Sequence, residues 1–234
     1  MKIKKKLKAK DVIARIVLVS LALSVIYVLI RLINAPASDE RIDIKVKSDY
    51  MLMLIQCIFG ILALSLPYTL HKRASIQLPD SFLIAYFVFL FCAIYLGEVR
   101  SFYYVVPHWD TILHTFSGAM LGTLGFSVVM LLNDSEKVVV HLSPFFVALF
   151  AFCFALALGS LWEIYEYAMD YVLNSNMQKF LLRDGTELVG RAALDDTLKD
   201  LIVDAIGAFA TSSVGYIMMR NKPEWLNRFD VKAK

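Results

Sequence analysis

Six apolar runs, at residues 12–33, 50–70, 79–98, 110–132, 143–169 and 196–219, occupy most of the chain. A helix needs about 20 apolar residues to cross about 30 Å of hydrocarbon, and each run is near that length. The expected fold is therefore all-α: a polytopic membrane protein, a bundle of six transmembrane helices. Hydrophobic residues make up 59% of the chain and charged residues only 19%. Soluble domains are normally about 45–50% apolar, so one soluble core is excluded. The chain is expected to be one integral membrane domain over residues 1–234, with a short basic tail at 220–234. Cys57, Cys92 and Cys153 each lie inside an apolar run and read as small buried hydrophobes, not as a disulfide framework.

Lysine and arginine placement sets the orientation. With a cytoplasmic N-terminus, the inner side holds the basic residues of "MKIKKKLKAK" and Arg15, then Lys72, Arg73, Lys137 and those of the tail. The outer side holds fewer, among them Arg31, Arg100, Lys179, Arg191 and Lys199. Both termini are expected in the cytoplasm of a bacterial cell, and the protein in its inner membrane as a multi-pass chain. The first run ends near "APAS", which also resembles a signal-peptide cleavage site. An uncleaved helix is the expectation, because the run is long for a signal and Arg31 interrupts the approach.

This orientation gathers the acids on one side. Glu98 ends the third run; Asp110 and His114 begin the fourth; Glu163, Glu166 and Asp170 end the fifth; Asp196, Asp200 and Asp204 begin the sixth. At about 100° per residue, Asp196, Asp200 and Asp204 share one helix face, as do Glu163, Glu166 and Asp170, and as do Asp110, His114 and Ser117. Gly118, Gly159 and Gly207 lie on the same sides, and small residues let helices approach closely in lipid. Asp204 is about 12 Å deeper than Asp196 by helical rise, near the midplane. Acids that deep usually face an interior or a water-filled cavity.

Two carboxylates about 5 Å apart repel by about 3 kcal/mol at an effective dielectric of 20. Several ionised acids in a partly dry site need protons, paired bases or a bound cation. The expected ligand set for one divalent metal is drawn from His114, Glu163, Glu166, Asp196, Asp200 and Asp204; carboxylate and imidazole donors leave Zn²⁺, Mn²⁺, Mg²⁺ and Ca²⁺ open. Asp110, four residues before His114, is placed to ligate the same ion or to orient the imidazole. Asp110, His114, Glu166 and Asp200 are the candidate catalytic residues. Arg191 and Glu98 are candidates for substrate binding, although Arg191 fits an ion pair with the acids equally well. Trp109, Trp162 and the tyrosines near them read as an interfacial aromatic belt. No organic cofactor motif is present, and no nucleic-acid partner is expected.

The segments "GEVRSFYYVVPHWDTILHTFSGAMLG", "LWEIYEYAMD" and "DDTLKDLIVDAIGA" resemble motifs of the YjdF-like family of uncharacterised bacterial integral membrane proteins, over roughly residues 97–215. That resemblance implies membrane class and topology and carries no activity. A weaker likeness is to VanZ-like membrane proteins, which are associated with glycopeptide resistance. Its pattern would fall on Asp110 and His114, Glu163 and Glu166, Gly190 and Arg191, and Asp196 and Asp200. Asp204 and the extra acids of the fifth run depart from it.

Three functions stay open on the sequence. One is a metal-dependent activity on a lipid or cell-envelope substrate arriving from the outer leaflet. Another is proton or cation transport through the same acids. The last is a non-catalytic binding or scaffold role. Enzyme status and oligomeric state are not decided by the residues.

Overall fold

The helices start and stop where local chemistry dictates. In α6, Pro144–Leu173, the side chain of Ser143 accepts a hydrogen bond from the Phe146 amide at 3.2 Å, with Pro144 in the first turn. Asn174 then ends the helix in the left-handed region at φ 51°. The computed structural model describes residues 8–37, 45–74, 78–133, 142–182 and 185–222. Residues 1–7 of the basic N-terminus, the tail from residue 223, Lys137, His141, Arg183 and Trp225 lie outside these described residues.

The other long helices are α1 (Ala9–Asn34), α2 (Lys47–Ala74), α3 (Asp80–Leu90), α5 (Trp109–Asn133) and α7 (Asp195–Asn221). A short α4, Phe102–Val105, precedes α5, and a 3₁₀ helix, Gly190–Leu194, leads into α7. Counting α3 with its continuation, six helices are long and apolar enough to cross a membrane. The all-α fold read from the six apolar runs is therefore the fold of the chain. Among the described residues the extended pairing is a single isolated bridge, Leu181 with Glu187.

The third span departs from a plain α-helix. From Phe91 to Val99 it runs on as a π-helix, whose wider turn no hydropathy pattern signals. Ser101, at φ 61°, then turns the chain into α4, so Tyr103 comes to lie against Gly97.

The helices pack as two groups of three. α1, α2 and the third span enclose Val17, Leu21, Cys57, Phe87 and Ile94. α5, α6 and α7 enclose Phe126, Val129, Val147, Ala151 and Met219. Rings join the groups: Phe59 stacks with Tyr165 at 6.3 Å, Phe89 stacks with Phe116 at 6.1 Å, and Trp109 donates to the Cys92 carbonyl at 3.3 Å. The outward faces are apolar, with Ile16, Leu23 and Ile30 on α1 and Ile202, Ile206 and Phe209 on α7 exposed. Lipid solvates such faces, while the backbone groups behind them are satisfied within the helices.

α5 and α7 meet at backbone distance. A β-carbon on Gly207 would collide with the Thr115 carbonyl oxygen, and one on Gly118 with the backbone of Asp204. The two glycines thus let the helices touch beside His114 and Asp204.

Candidate functional site

Six acids and one histidine converge where α5, α6 and α7 meet. His114 is the hub. Its Nδ1 lies 3.2 Å from Asp204 Oδ2, and its Nε2 lies 3.7 Å from Asp110 Oδ1 and 3.8 Å from Asp200 Oδ2. Donor atoms of Asp110, His114 and Asp200 fall within 4.8 Å of one another, and so do those of His114, Glu163 and Glu166. His114, Glu163, Glu166, Asp200 and Asp204 are all buried, Asp204 to 1% exposure.

Asp204 is fully committed. Ser117 donates to its Oδ1 at 2.8 Å, and His114 takes Oδ2. Gly159 on α6 clears the space, because a β-carbon there would stand 2.7 Å from Asp204 Oδ2. With Nδ1 turned to Asp204, the other ring nitrogen, Nε2, faces Asp110 and Asp200.

Other acids are incompletely satisfied. Neither carboxylate oxygen of Glu163, nor Asp200 Oδ2, has a hydrogen-bond partner among the described residues, although all three atoms are buried. Glu166 accepts one bond, from Trp162 Nε1 at 2.8 Å. Trp162, which reads in sequence as part of an aromatic belt, is thus tied to the acid cluster. Unpaired buried carboxylate oxygens are rare and costly, and they call for a proton, a water or a cation.

Lys179 is the residue that sequence reasoning missed. It lies in the loop after α6, at φ 48°, and its ammonium contacts Asp110 Oδ2 and both oxygens of Asp196 at 3.1 and 3.2 Å. Burial works against the charged lysine, but the fields of Asp110 and Asp196 outweigh it and hold its pKa above the usual lysine range. As the lone charge between Asn174 and Leu182 it offered a weak sequence signal, and only the fold of the loop brings it over the acids. Asp196 is therefore held by Lys179 at the mouth of the cluster.

Asp170 shares the buried face of α6 but serves the loop. It accepts from Ser175 Oγ at 2.7 Å, from the Met177 amide at 2.7 Å and from the Gln178 amide at 2.9 Å. Asp170→Ala leaves those donors unpaired, at a cost of about 1–3 kcal/mol each if they stay buried. Hydrogen exchange of residues 174–182 is expected to speed up in this variant. Unchanged protection there would show that the cap does not hold the loop.

The two substrate candidates separate. Glu98 lines a cavity of about 40 Å³ between the two helix groups, together with Gln56, Tyr103, Asp110, Glu166 and Lys179. Lys45, at the start of the α2 region, has its pKa lowered by burial against the opposing pull of Glu98 and Asp49. Arg191 is exposed on the 3₁₀ helix, with no ion pair among the described residues, so the fold does not carry it into the cluster. Gly190, at φ 62°, turns the chain just before it.

Six helices long and apolar enough to cross a membrane, three of which enclose a buried histidine–carboxylate cluster, define a polytopic helical membrane protein. The family model described as "Predicted membrane protein (DUF2238)" matches residues 13–221, and the chain belongs to that family. It is also similar to an uncharacterized protein of Thermotoga maritima, 27% identical over 163 residues, covering 69% of this chain and 76% of the relative. No solved structure matches the chain. The likeness to VanZ-like proteins finds no support in these comparisons.

Proposed function

We propose that the cluster binds a divalent metal ion and that the protein acts on a lipid or cell-envelope substrate. The observation that carries this reading is Glu163: a buried carboxylate neither of whose oxygens has a hydrogen-bond partner among the described residues, beside His114 and Glu166. Ligands would come from His114 Nε2 and from carboxylate oxygens of Asp110, Asp200, Glu163 and Glu166. Asp204 would stand behind the imidazole, fixing its tautomer and orientation rather than touching the ion. Asp196 would be engaged by Lys179. When bound, such an ion polarises a phosphoryl or carbonyl oxygen or lowers the pKa of a bound water.

The protein's own groups supply the rest. Ser117 and Gly159 hold Asp204 in place, and the α5–α7 contact closes the site below. That backbone contact at Gly118 and Gly207 leaves little room for an ion path beneath Asp204, which favours a binding site over a transport route. The basic-residue bias supports a site that opens to the outer leaflet of a bacterial inner membrane, with both termini in the cytoplasm. The three quoted segments support the YjdF-like group as the narrower kinship.

The test is metal analysis of the full-length protein purified without chelators, then reloaded in turn with Zn²⁺, Mn²⁺, Mg²⁺ and Ca²⁺. A retained divalent ion that Asp200→Ala releases is the expected result. A wild-type protein that holds none of the four would refute the reading.

A further inference from the structure

The cavity beside the cluster has its own chemistry. It lies between the two helix groups, bounded by Gln56 of α2, Glu98 of the π-helix, Tyr103 of α4, Asp110 of α5, and Trp162 and Glu166 of α6. Its volume of about 40 Å³ holds roughly three water-sized groups. The polar lining is rich in acceptors. Gln56 is only 4% exposed; its amide nitrogen faces Met177 Sδ at 3.9 Å, and its amide oxygen accepts no hydrogen bond among the described residues. Glu166 is 7% exposed and, among the described residues, accepts one hydrogen bond, from Trp162. Glu98 forms no hydrogen bond or ion pair among the described residues; the Lys45 ammonium feels its charge from outside the cavity wall. Lys179 is the cation in the wall, and its ammonium is turned onto Asp110 and Asp196.

Unengaged acceptors that outnumber donors, backed by aromatic rings, suit a donor-rich cation. A primary ammonium has three N–H groups and no acceptor, and a tyrosine or tryptophan face attracts it further. A phosphate or carboxylate here would face Glu98, which stands outside the metal ligand set, and like-charge repulsion disfavours it. We propose that this cavity binds a primary ammonium group, through Glu98 and the Gln56 side-chain oxygen, with the Tyr103 and Trp162 rings alongside. Placed there, the rest of the bound molecule lies next to Asp110 and Glu166 of the metal cluster. The inference deepens the metal-site reading and rests on it for whatever chemistry follows binding. The ammonium belongs either to a lipid headgroup of the ethanolamine type or to a soluble amine.

The experiment uses the full chain in nanodiscs and follows ethanolamine binding by calorimetry, with choline and glycerol phosphate as comparison probes. Saturable binding of ethanolamine is expected, with weaker binding of choline and none of glycerol phosphate. Glu98→Gln keeps the shape and removes the charge, and it is expected to weaken ethanolamine at least about tenfold while leaving metal content unchanged. Nanodiscs of phosphatidylethanolamine and of phosphatidylcholine separate the two sources. If only the former suppress the ethanolamine signal, the native ligand is a headgroup; equal signals in both point to a soluble amine. Absence of ethanolamine binding in protein that retains its metal overturns the ammonium site and leaves the metal reading standing. Equal affinity in Glu98→Gln overturns it as well. Glu98-dependent binding in protein that holds no divalent ion supports the ammonium site and removes the metal reading.

Discussion

His114→Ala is expected to strip the proposed divalent ion from the protein. His114 is shared by both groups of converging donors, so its loss removes the nitrogen ligand from either. Loss of a partner that only orients a metal-bound histidine typically costs 10–100-fold in affinity, so loss of the histidine itself should cost at least about 100-fold. Asp204→Asn provides the graded comparison. It keeps the volume beside Gly159 but weakens the bond to Nδ1, and an intermediate loss of about 10–100-fold is expected. Competition with a calibrated chelator measures all three proteins, and gel filtration in detergent checks that each remains folded. Wild-type affinity in a folded His114→Ala protein would remove His114 from the ligand set. Equal losses in the two variants would place Asp204 on the metal rather than behind the imidazole.

The second large effect concerns packing. Gly207→Ala is expected to be destabilising, by up to about 2 kcal/mol net, and to lower retention of the proposed ion as well. Its added methyl would meet the Thr115 carbonyl oxygen, a backbone atom that cannot rotate aside, so α5 and α7 must separate. Overpacking of this kind costs about 1–3 kcal/mol, against a helix-propensity gain of about 1 kcal/mol for replacing glycine by alanine. Gly122→Ala is the matched control on the same interface. Its β-carbon would sit 3.5 Å from Thr211 Cβ, an ordinary contact, so this variant should be neutral or slightly stabilised. Thermal unfolding in detergent ranks the pair. Similar transitions for both would mean that the α5–α7 approach is looser than described.

The difference between the two glycines was not legible in the chain. Both lie on helices at positions that simply read as small-residue packing. Which glycine presses on a carbonyl oxygen and which has room for a methyl depends on the rotation and offset of α5 against α7, and no single-helix pattern carries that. Lys179 is a similar case. Its partners are 69 and 17 residues away, and the loop that aims it is shaped by Asp170 from below. Asp170 and Glu166 share one helix stripe, yet one caps a loop and the other faces the cluster.

By itself, the sequence determined the class of the protein and the composition of its site. Apolar runs of membrane-crossing length leave helices as the economical solution in lipid, and helical periodicity puts Asp110 with His114, Glu163 with Glu166, and Asp200 with Asp204 on shared faces. Those are local properties, set by one residue's spacing from the next. The tertiary structure alone decided which acid touches which nitrogen of His114, that Arg191 stays outside, that Lys179 comes in, and that a small acceptor-lined cavity opens beside the cluster. Each of these depends on distances between helices remote in the chain, fixed by close glycine contacts and ring packing rather than by any residue's neighbours in sequence.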